Sequence, residues 1–562
     1  MKQFLLFGGA LILTISGCGG GGSDSNEGAS GGNAPSVSSV TPANGAVGVA
    51  RNVAVTTQFS TEIIADSVSG ASFSLTGLDA GDGTDAVDGA VSFDALTNTA
   101  TFTPARELAL LTSYTATLSA DISDLSGETL GAEYSWGFTT ADGTLSATSD
   151  QVQSDSQKIL MEPRIAYLND GSAIAVWQDQ TKNFPYSFQA WVSHYTSGSG
   201  WGTPELLDAS TSSAEMHLNL VADSDGNALV IWSQSQASVW ANYFDSTSGE
   251  WAGAEQISAS GENVGNPCAS INSDGNAVAV WNQRLAGGTL DIFANEYIKG
   301  NGWGTAAPIE SIAGDARYPK VGFDGSGNAI AVWAQDDGTQ FSIYGNRLVD
   351  NEGWGNATLL ESIDTAPANQ LSTPKLGVDD NGNALVVWSQ SDGTRENLWY
   401  NRYGMSSGWQ GETLLESYDT NARLVAFHMN RGGTALVVWS QKDTSSDIGK
   451  VASKRYLPGE GWGPEETFDF TDFLAYDSDL VVDESGNALF FQAYDDNESS
   501  DIWFNRYSAT SGWASATFLT RSSDGYGEYS PHLSVRGDGE AMVIFSADST
   551  DGSQQIWSRA FK

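Results

Sequence analysis

The stretch Asp379-Asp-Asn-Gly-Asn-Ala-Leu-Val-Val-Trp388 decides the fold, because it joins a tight-turn signal directly to an apolar, β-branched strand. Variants of this phrase occur eight times between residue 170 and the C-terminus, and their turn glycines are 49 to 55 residues apart. These glycines are Gly171, Gly226, Gly275, Gly327, Gly382, Gly433, Gly486 and Gly539. A period of this length is typical of β-propellers rather than of helical solenoids. The sequence therefore predicts a repetitive all-β fold.

One repeat, residues 315–363, contains four short apolar runs separated by turn residues. The first three runs cover Pro319–Phe323, Asn328–Trp333 and Ser342–Leu348, and the fourth begins at Gly353. Their alternation and their β-branched and aromatic content favour strands over helix. Four antiparallel strands make one propeller blade, so each repeat is predicted to be a blade.

The number of runs indicates how the ring of blades closes. There are eight copies of the second and third runs but seven of the fourth, and the last third run ends at Phe561. An open row of blades would leave two sheet edges free to pair with other chains. The segment 143–152 lies where a fourth run would precede the first repeat, so we expect it to complete the last blade. Residues 141–562 are therefore predicted to form an eight-bladed propeller, with a seven-bladed ring plus a divergent unit as the alternative.

The N-terminus carries targeting signals rather than a folded domain. A short positively charged start and an apolar core over residues 4–13 precede Ile15-Ser-Gly-Cys18, which resembles the lipobox of bacterial lipoprotein signal peptides. The resemblance implies removal of residues 1–17 and acylation of Cys18, which anchors the chain by lipid. Gly19 favours the outer membrane, on its periplasmic or cell-surface side. Residues 18–34 are rich in Gly, Ser and Asn and are predicted to be a flexible tether.

Residues 35–140 are predicted to form a separate β-module. Alternating stretches such as Ala100-Thr-Phe-Thr-Pro104 and Leu111-Thr-Ser-Tyr-Thr-Ala-Thr-Leu118 suggest a two-sheet sandwich. Together with Trp136-Gly-Phe-Thr-Thr140, they resemble bacterial Ig-like domains of the S-layer-protein type. The resemblance implies a spacer or adhesive building block without catalysis. We therefore expect a stalk that lifts the propeller from the membrane.

The acidic composition limits the partners of the chain. With 69 acidic and 25 basic residues the formal net charge is −44, which argues against nucleic acid or an anionic bilayer as the ligand. The oxygen-rich hairpin turns have two open explanations. Tight turns use Asp, Asn and Gly, and calcium sites use hard oxygen ligands at alternate positions. The candidate calcium ligands are Asp223, Asp225, Asp379 and Asn381; no other cofactor is predicted.

A candidate binding site comes from the ring positions, defined as the residues seven places before the turn glycines. Four of these eight residues are basic or potentially basic, although fewer than one residue in twenty of the chain is Lys or Arg. This reversal of charge predicts a central mouth that binds an anionic or polyhydroxylated group. The predicted ligand-binding residues are Arg164, Lys320, Lys375 and His532, with Tyr318 as a stacking surface. Alternatively, the basic side chains pair with acidic neighbours such as Glu162 and Asp315 around a water-filled channel.

Aromatic residues divide into recurring and isolated ones. Tryptophans that recur at one blade position predict packing between blades. A sugar platform would instead use isolated aromatics in longer loops. The second set of candidates for such a platform is Phe184, Tyr186, Phe188 and Tyr526.

No catalytic residue is predicted. The four histidines occur singly, without metal-ligand spacing, and residues 35–562 contain neither a Gly-x-Ser-x-Gly elbow nor a phosphate loop. The predicted function is that of a lipid-anchored surface protein that binds a glycan or another envelope or extracellular protein. Two alternatives stay open: a glycosidase or polysaccharide lyase on the same scaffold, whose site would be assembled from distant blades, and a structural subunit of an envelope complex.

Overall fold

The computed structural model shows a chain built almost entirely of β-strands. The one helix among the described residues is the short 3-10 turn Ala65–Ser67, and no helix in this part of the chain is long and apolar enough to cross a membrane. The structure describes residues 34–77, 86–155, 158–182, 185–208, 211–212, 216–259, 262–284, 288–336, 338, 340–363, 373–417, 419–442, 449–468, 475–495, 500–519, 528–548 and 553–562. The predicted signal peptide, the lipidation site Cys18 and the tether up to residue 33 lie outside these ranges.

Two four-stranded sheets form a sandwich in the N-terminal module. The strands are β1 Val37–Thr41, β2 Ala46–Val49, β3 Val55–Phe59, β4 Phe73–Thr76, β5 Gly89–Asp94, β6 Thr99–Pro104, β7 Ser113–Leu118 and β8 Tyr134–Thr140. Their orders are β1-β3-β6-β5 and β2-β8-β7-β4. Phe73, Tyr114 and Trp136 lie between the sheets and are no more than 2% exposed. Every second residue of a strand faces this core, which explains the alternation in the sequence.

The other described strands form eight antiparallel sheets, called repeat sheets 1 to 8 in chain order. Their first strands are Lys158–Tyr167, Leu218–Ala222, Glu262–Ile271, Ala316–Phe323, Lys375–Val378, Ala422–Met429, Ala475–Val482 and Glu528–Val535. The second strands are Ala173–Thr181, Ala228–Gln234, Ala277–Arg284, Ala329–Asp336, Ala384–Ser391, Ala435–Lys442, Ala488–Asp495 and Ala541–Asp548. The third strands are Phe188–Thr196, Ser238–Asp245, Leu290–Ile298, Phe341–Val349, Glu396–Gly404, Gly449–Leu457, Ser500–Ser508 and Gln554–Phe561.

In repeat sheets 1 to 7 the fourth strand consists of two short pieces, and the first piece ends at a tryptophan. The first pieces are Gly200–Trp201, Glu250–Trp251, Gly302–Trp303, Gly353–Trp354, Gly408–Trp409, Gly461–Trp462 and Gly512–Trp513. The second pieces are Glu205–Leu206, Glu255–Gln256, Ala307–Pro308, Thr358–Leu359, Thr413–Leu414, Glu466–Phe468 and Thr517–Phe518.

Repeat sheet 8 takes its fourth strand from the N-terminal side of the repeats. This strand, β9 Asp150–Asp155, pairs antiparallel with the third strand of the sheet, for example at Gln151 and Trp557. It lies a few residues later than the segment 143–152 expected from the sequence. The first strand of each repeat sheet packs beside that of the next sheet, and the first strand of sheet 8 packs beside that of sheet 1. The two ends of the repeat region therefore meet in one sheet.

Tryptophans of the second strands fill the space between neighbouring sheets. The six residues Trp177, Trp232, Trp281, Trp333, Trp388 and Trp439 are 0% exposed. In five of these six the indole N–H donates to the glutamine two residues later, as from Trp333 to Oε1 of Gln335 at 2.9 Å. The Gln335 amide in turn donates to the carbonyl of Gly314, at 3.3 Å. The recurring tryptophans are thus packing residues, as the sequence predicts. Through Gln335, Trp333 is also hydrogen-bonded to the segment that precedes the first strand of its sheet.

The N-terminal sandwich packs directly against the hairpin turns of repeat sheets 7 and 8. Arg51 donates to Oδ2 of Asp538 at 2.8 Å and to Oε1 of Glu540 at 2.6 Å. None of these three side chains is more than 11% exposed. The backbone N–H of Leu110 donates to the carbonyl of Asp538, and the Leu110 side chain enters the apolar core of sheets 7 and 8. The expected stalk is therefore docked on the repeat region by buried ion pairs and does not stand apart from it.

Candidate functional site

A bulge in the first strand shapes one end of the ring. In sheet 4 the pairing with the second strand slips between Arg317 and Lys320. Tyr318 lies in this bulge with a φ of 58° and is followed by proline. Proline suits a bulge because it has no N–H to donate to the ladder, and the bulge redirects the neighbouring side chains. Tyr318 is 39% exposed as a result. Equivalent residues with positive φ before proline are Glu162, Asn266 and Ser530.

Polar side chains tie the first strands of neighbouring sheets together. The ring residues Asn219, Asp479 and His532 each accept a backbone N–H from the first strand of the next sheet. Residues that lie two places after a ring position in the sequence accept a backbone N–H in the same way; these are Ser270, His428 and Ser534. A cavity of about 940 Å³ lies beside these strands, and Asp479 and His532 line it. Two of the eight ring positions, Asp479 and His532, therefore border this cavity.

Three ring positions carry cations, which cannot accept such a hydrogen bond. Arg164, Lys320 and Lys375 each lie in register with a valine at the same place of the second strand, Val332 in the case of Lys320. The three residues therefore stand at one level of the ring. Both lysines are half-buried, and neither has a hydrogen bond or an ion pair with a described residue.

The positive charges are close enough to affect the pKa of Lys375. Burial is the largest cause of a lowered pKa for this amine, and the charges of Lys320 and Arg164 lower it further. The ring carboxylate Asp479 and the thiol of Cys268 oppose the shift. The structure thus brings Arg164 and Lys320 near enough to Lys375 for their charges to act on its amine.

Acidic neighbours pair with part of the basic set. Arg164 lies 3.9 Å from the carboxylate of Glu162. Asp315 is occupied elsewhere, because its Oδ2 lies 3.0 Å from Arg317 and 3.2 Å from Arg284. Ion pairing with an acidic neighbour, the alternative left open by the sequence, is therefore observed for Arg164 and not for Lys320 or Lys375.

His532 belongs to the ring but does not add to its positive charge. Its Nδ1 accepts the N–H of Ile165 at 3.3 Å. Burial lowers the pKa of His532 to about 4, against the opposing charge of Asp479. The imidazole is therefore neutral at pH 7 and offers its Nε2–H as a donor.

The isolated aromatics have different surroundings. Tyr186 is 49% exposed. Phe188 is 6% exposed and packs in the core of repeat sheets 1 and 2. Its ring has no free face for a sugar, so that prediction is wrong. Phe184 and Tyr526 lie outside the described residues. Tyr529, which is not among the residues predicted from the sequence, is 39% exposed just before the bulge of sheet 8; the Ser-Pro pair that follows it is the sequence signal for this position.

The hairpin turns use their carboxylates to hold the turns themselves. Oδ1 of Asp223 accepts the backbone N–H groups of Asp225 and Asn227, and Oδ2 accepts the Asn227 side chain at 2.6 Å. Asp379 accepts equivalent bonds in sheet 5. The described residues contain no group of three or more His, Cys, Asp or Glu side chains that could hold a metal ion. Calcium binding by Asp223, Asp225, Asp379 and Asn381 stays a prediction, and tight-turn chemistry accounts for the bonds observed.

Three glutamates occupy equivalent buried places two residues beyond the fourth strands. Burial raises the pKa of each of them, which is a property of many catalytic acids. Each also accepts a backbone N–H, such as that of Ile312 by Glu310 at 2.6 Å. The three residues are Glu310, Glu361 and Glu416. Their recurrence in consecutive sheets indicates a structural role at the end of the fourth strand.

Comparisons with known proteins give a family match for the N-terminal module and distant similarities to solved structures. No curated protein sequence matches the chain. A solved protein of unknown function from Dyadobacter fermentans is 11% identical, with a TM-score of 0.37 over 74% of this chain and 98% of its own. The polysaccharide lyase Uly1 is 9% identical, with a TM-score of 0.38 over 60% of this chain and 87% of its own. A NanB sialidase variant from Streptococcus pneumoniae is 11% identical, with a TM-score of 0.32 over 91% and 94%. Residues 32–140 match the family of bacterial Ig-like domains, so this part of the chain is such a domain.

Proposed function

We propose that the chain is a lipid-anchored protein of the bacterial outer membrane that binds an acidic saccharide at the centre of a closed, eight-bladed β-propeller. The propeller is supported by the packing of the first strands of sheets 8 and 1 and by the pairing of β9 with the last third strand. The lipid anchor rests on the lipobox that ends at Cys18.

The observation that carries the binding function is a pair of half-buried lysines, Lys320 and Lys375, that have no hydrogen bond or ion pair with a described residue. A half-buried charge without a direct partner is costly. The nearby carboxylate of Asp479 accepts the backbone N–H groups of Leu480 and Leu533 and forms no ion pair with either lysine. An anionic ligand would supply the missing charge. Its hydrogen bonds to ammonium groups would be about twice as strong as bonds between neutral groups.

The neighbours of the two lysines favour an acidic sugar over a simple anion. Tyr318 is 39% exposed two residues before Lys320, and such a ring offers a flat apolar face beside the charge. The neutral imidazole of His532 and the guanidinium of Arg164 provide further donors. A pyranose ring with a carboxylate matches an aromatic face with adjacent cations and donors.

The position of the Ig-like domain leaves this mouth open. The domain contacts repeat sheets 7 and 8 through Asp538 and Glu540, which follow the first strand at its turn end. Tyr318 and the other bulge residues lie at the opposite end of the first strands. An anchor at the N-terminus would therefore present the basic mouth away from the docked domain.

Retention on a matched pair of polysaccharides tests the function. The full chain is applied to immobilised polygalacturonate and to its fully methyl-esterified, uncharged form. We expect retention by the acidic form alone, and loss of retention in the double variant Lys320→Gln plus Lys375→Gln. The exposed Lys450 provides the matched control, Lys450→Gln, which removes a positive charge away from the ring and should keep retention.

Two other results would replace the proposal. New reducing or unsaturated ends released from the polymer would identify a carbohydrate-active enzyme. Equal retention by both polysaccharides, or retention by neither, would contradict an acidic saccharide as the ligand and favour an envelope or extracellular protein.

A further inference from the structure

Lys375 combines the three conditions under which a lysine side chain becomes a nucleophile. It is half-buried, it has no hydrogen bond or ion pair with a described residue, and it stands at the same level of the ring as Lys320 and Arg164. Burial and adjacent positive charge both disfavour the ammonium form and favour the free amine. The lowered pKa of Lys375, caused first by burial and then by Lys320, agrees with this arrangement.

The charged groups around the amine act in opposite directions. Lys320 and Arg164 favour the neutral amine, whereas Asp479 and Cys268 favour the ammonium ion. Of the two cations, Lys320 exerts the larger effect on the pKa of Lys375, and Arg164 also lies 3.9 Å from the carboxylate of Glu162. The same two cations can also hold the carboxylate of a small ligand beside the amine.

We propose that Lys375 forms a reversible Schiff base with a ligand that carries an aldehyde or ketone next to a carboxylate, the carboxylate being held by Lys320 and Arg164. This inference rests on the proposed anion-binding function of the ring. The amine nitrogen attacks the carbonyl carbon, and the carbonyl π electrons move to the oxygen. The two protons of the amine pass to the oxygen, which leaves as water, and a C=N bond replaces the C=O bond. No group is oxidised or reduced, and addition of water reverses the step.

Reductive trapping with glyoxylate tests the proposal on the full chain. The protein is incubated at pH 7 with glyoxylate and cyanoborohydride, and the modified lysines are located by peptide mass spectrometry. Each unit by which the pKa of an amine falls gives about ten times more free amine at this pH. We expect Lys375 to be modified at least about tenfold faster than the exposed Lys450, which serves as the internal reference.

Two controls separate reactivity from anion binding. Glycolaldehyde, which has no carboxylate, should show a smaller preference for Lys375 because Lys320 and Arg164 cannot hold it. The variant Lys320→Gln should slow modification of Lys375 by glyoxylate, and Lys375→Arg should abolish the adduct at this site. Thermal unfolding of both variants shows whether they fold.

The result in the unmodified sequence decides the matter without any variant. Modification of Lys375 at the rate of Lys450, or slower, would overturn the inference. If polygalacturonate is still retained in that case, the proposed function stands and only the Schiff base fails. Rapid modification without retention would support the reactive amine and refute the saccharide as its ligand.

Discussion

The ion pairs between the Ig-like domain and the repeat region allow a quantitative prediction for Arg51→Met. The Arg51 guanidinium contacts Asp538 at 2.8 Å and Glu540 at 2.6 Å, and its own side chain is 11% exposed. Methionine keeps much of the apolar stem and removes the charge. The substitution should therefore weaken the docking of the domain and leave the fold of each part intact.

The magnitude follows from what remains in the interface. Removing one partner of a buried pair costs about 3–5 kcal/mol. Arg536 still contacts both carboxylates at 3.0 Å, which leaves them partly compensated. We therefore expect about half of that cost, roughly 2 kcal/mol.

The cost should also depend on pH. Burial alone would raise the pKa of Glu540, but Arg51 and Arg536 lower it below its usual value. A lowered carboxyl pKa stabilises the folded protein above the unfolded value of about 4.3, and the contribution is lost as the pH falls through the folded value. The deficit of Arg51→Met should therefore be full at pH 7 and smaller at pH 3.

Calorimetry and limited proteolysis measure this effect. We expect Arg51→Met to unfold the Ig-like domain in an earlier, separate transition and to speed cleavage within residues 141–149. Arg106→Met is the matched control, because Arg106 is exposed in the same domain and has no ion pair with a described residue. A free energy of unfolding within about 0.5 kcal/mol of that control would refute the reasoning.

Three further predictions concern the repeat sheets. Gln335→Leu leaves the buried indole of Trp333 and the backbone carbonyl of Gly314 without these hydrogen-bond partners, so the free energy of unfolding in urea should fall by about 2–4 kcal/mol. A fall of less than about 0.5 kcal/mol would contradict a stabilising role for these two hydrogen bonds. Because the folded pKa of His532 lies near 4, stability should fall by up to about 3 kcal/mol as the pH drops from about 6.5 to 4. His532→Asn, which copies Asn219 of sheet 2, should flatten that slope, and an unchanged slope would disprove the role of the imidazole. Replacing excess calcium with a chelator should shift the melting temperature by less than about 1 °C, since the Asp223 oxygens already accept hydrogen bonds within the turn; a shift of several degrees would establish calcium sites.

The strand pattern of the repeats follows from local signals in the sequence. Each turn glycine has positive φ, for example 77° at Gly382, and it fixes where the first strand ends and the second begins. The alternation of apolar residues then sets which side chains face the core. The missing fourth run pointed to a segment before the repeats, and β9 Asp150–Asp155 occupies that place.

Docking of the Ig-like domain could not be predicted in this way. Arg51 and Glu540 are 489 positions apart in sequence, and an ion pair of this kind leaves no local pattern. The resemblance to a spacer module indicates what the domain is in other proteins. It carries no information about which surface the domain contacts here.

The candidate site was only partly predictable for a related reason. The ring positions could be counted from the turn glycines, because the register of a hairpin is set by its turn. Whether a cation has a counter-ion depends on contacts between sheets: Asp315, five residues before Lys320, pairs with Arg317 and with Arg284 of the neighbouring sheet and not with Lys320. The prediction for Phe188 is wrong because the third strand begins at this residue and turns its ring into the core.

The central claim is that the ring lysines bind an acidic saccharide, and calorimetric titration tests it most directly. The full chain is titrated with an oligogalacturonate and with the same oligosaccharide after reduction of its carboxyl groups. We predict binding of the acidic form alone, weakened by salt because charges drive it and lost in Lys320→Gln plus Lys375→Gln. Equal binding of both forms, or binding that survives in the double variant, would contradict the claim.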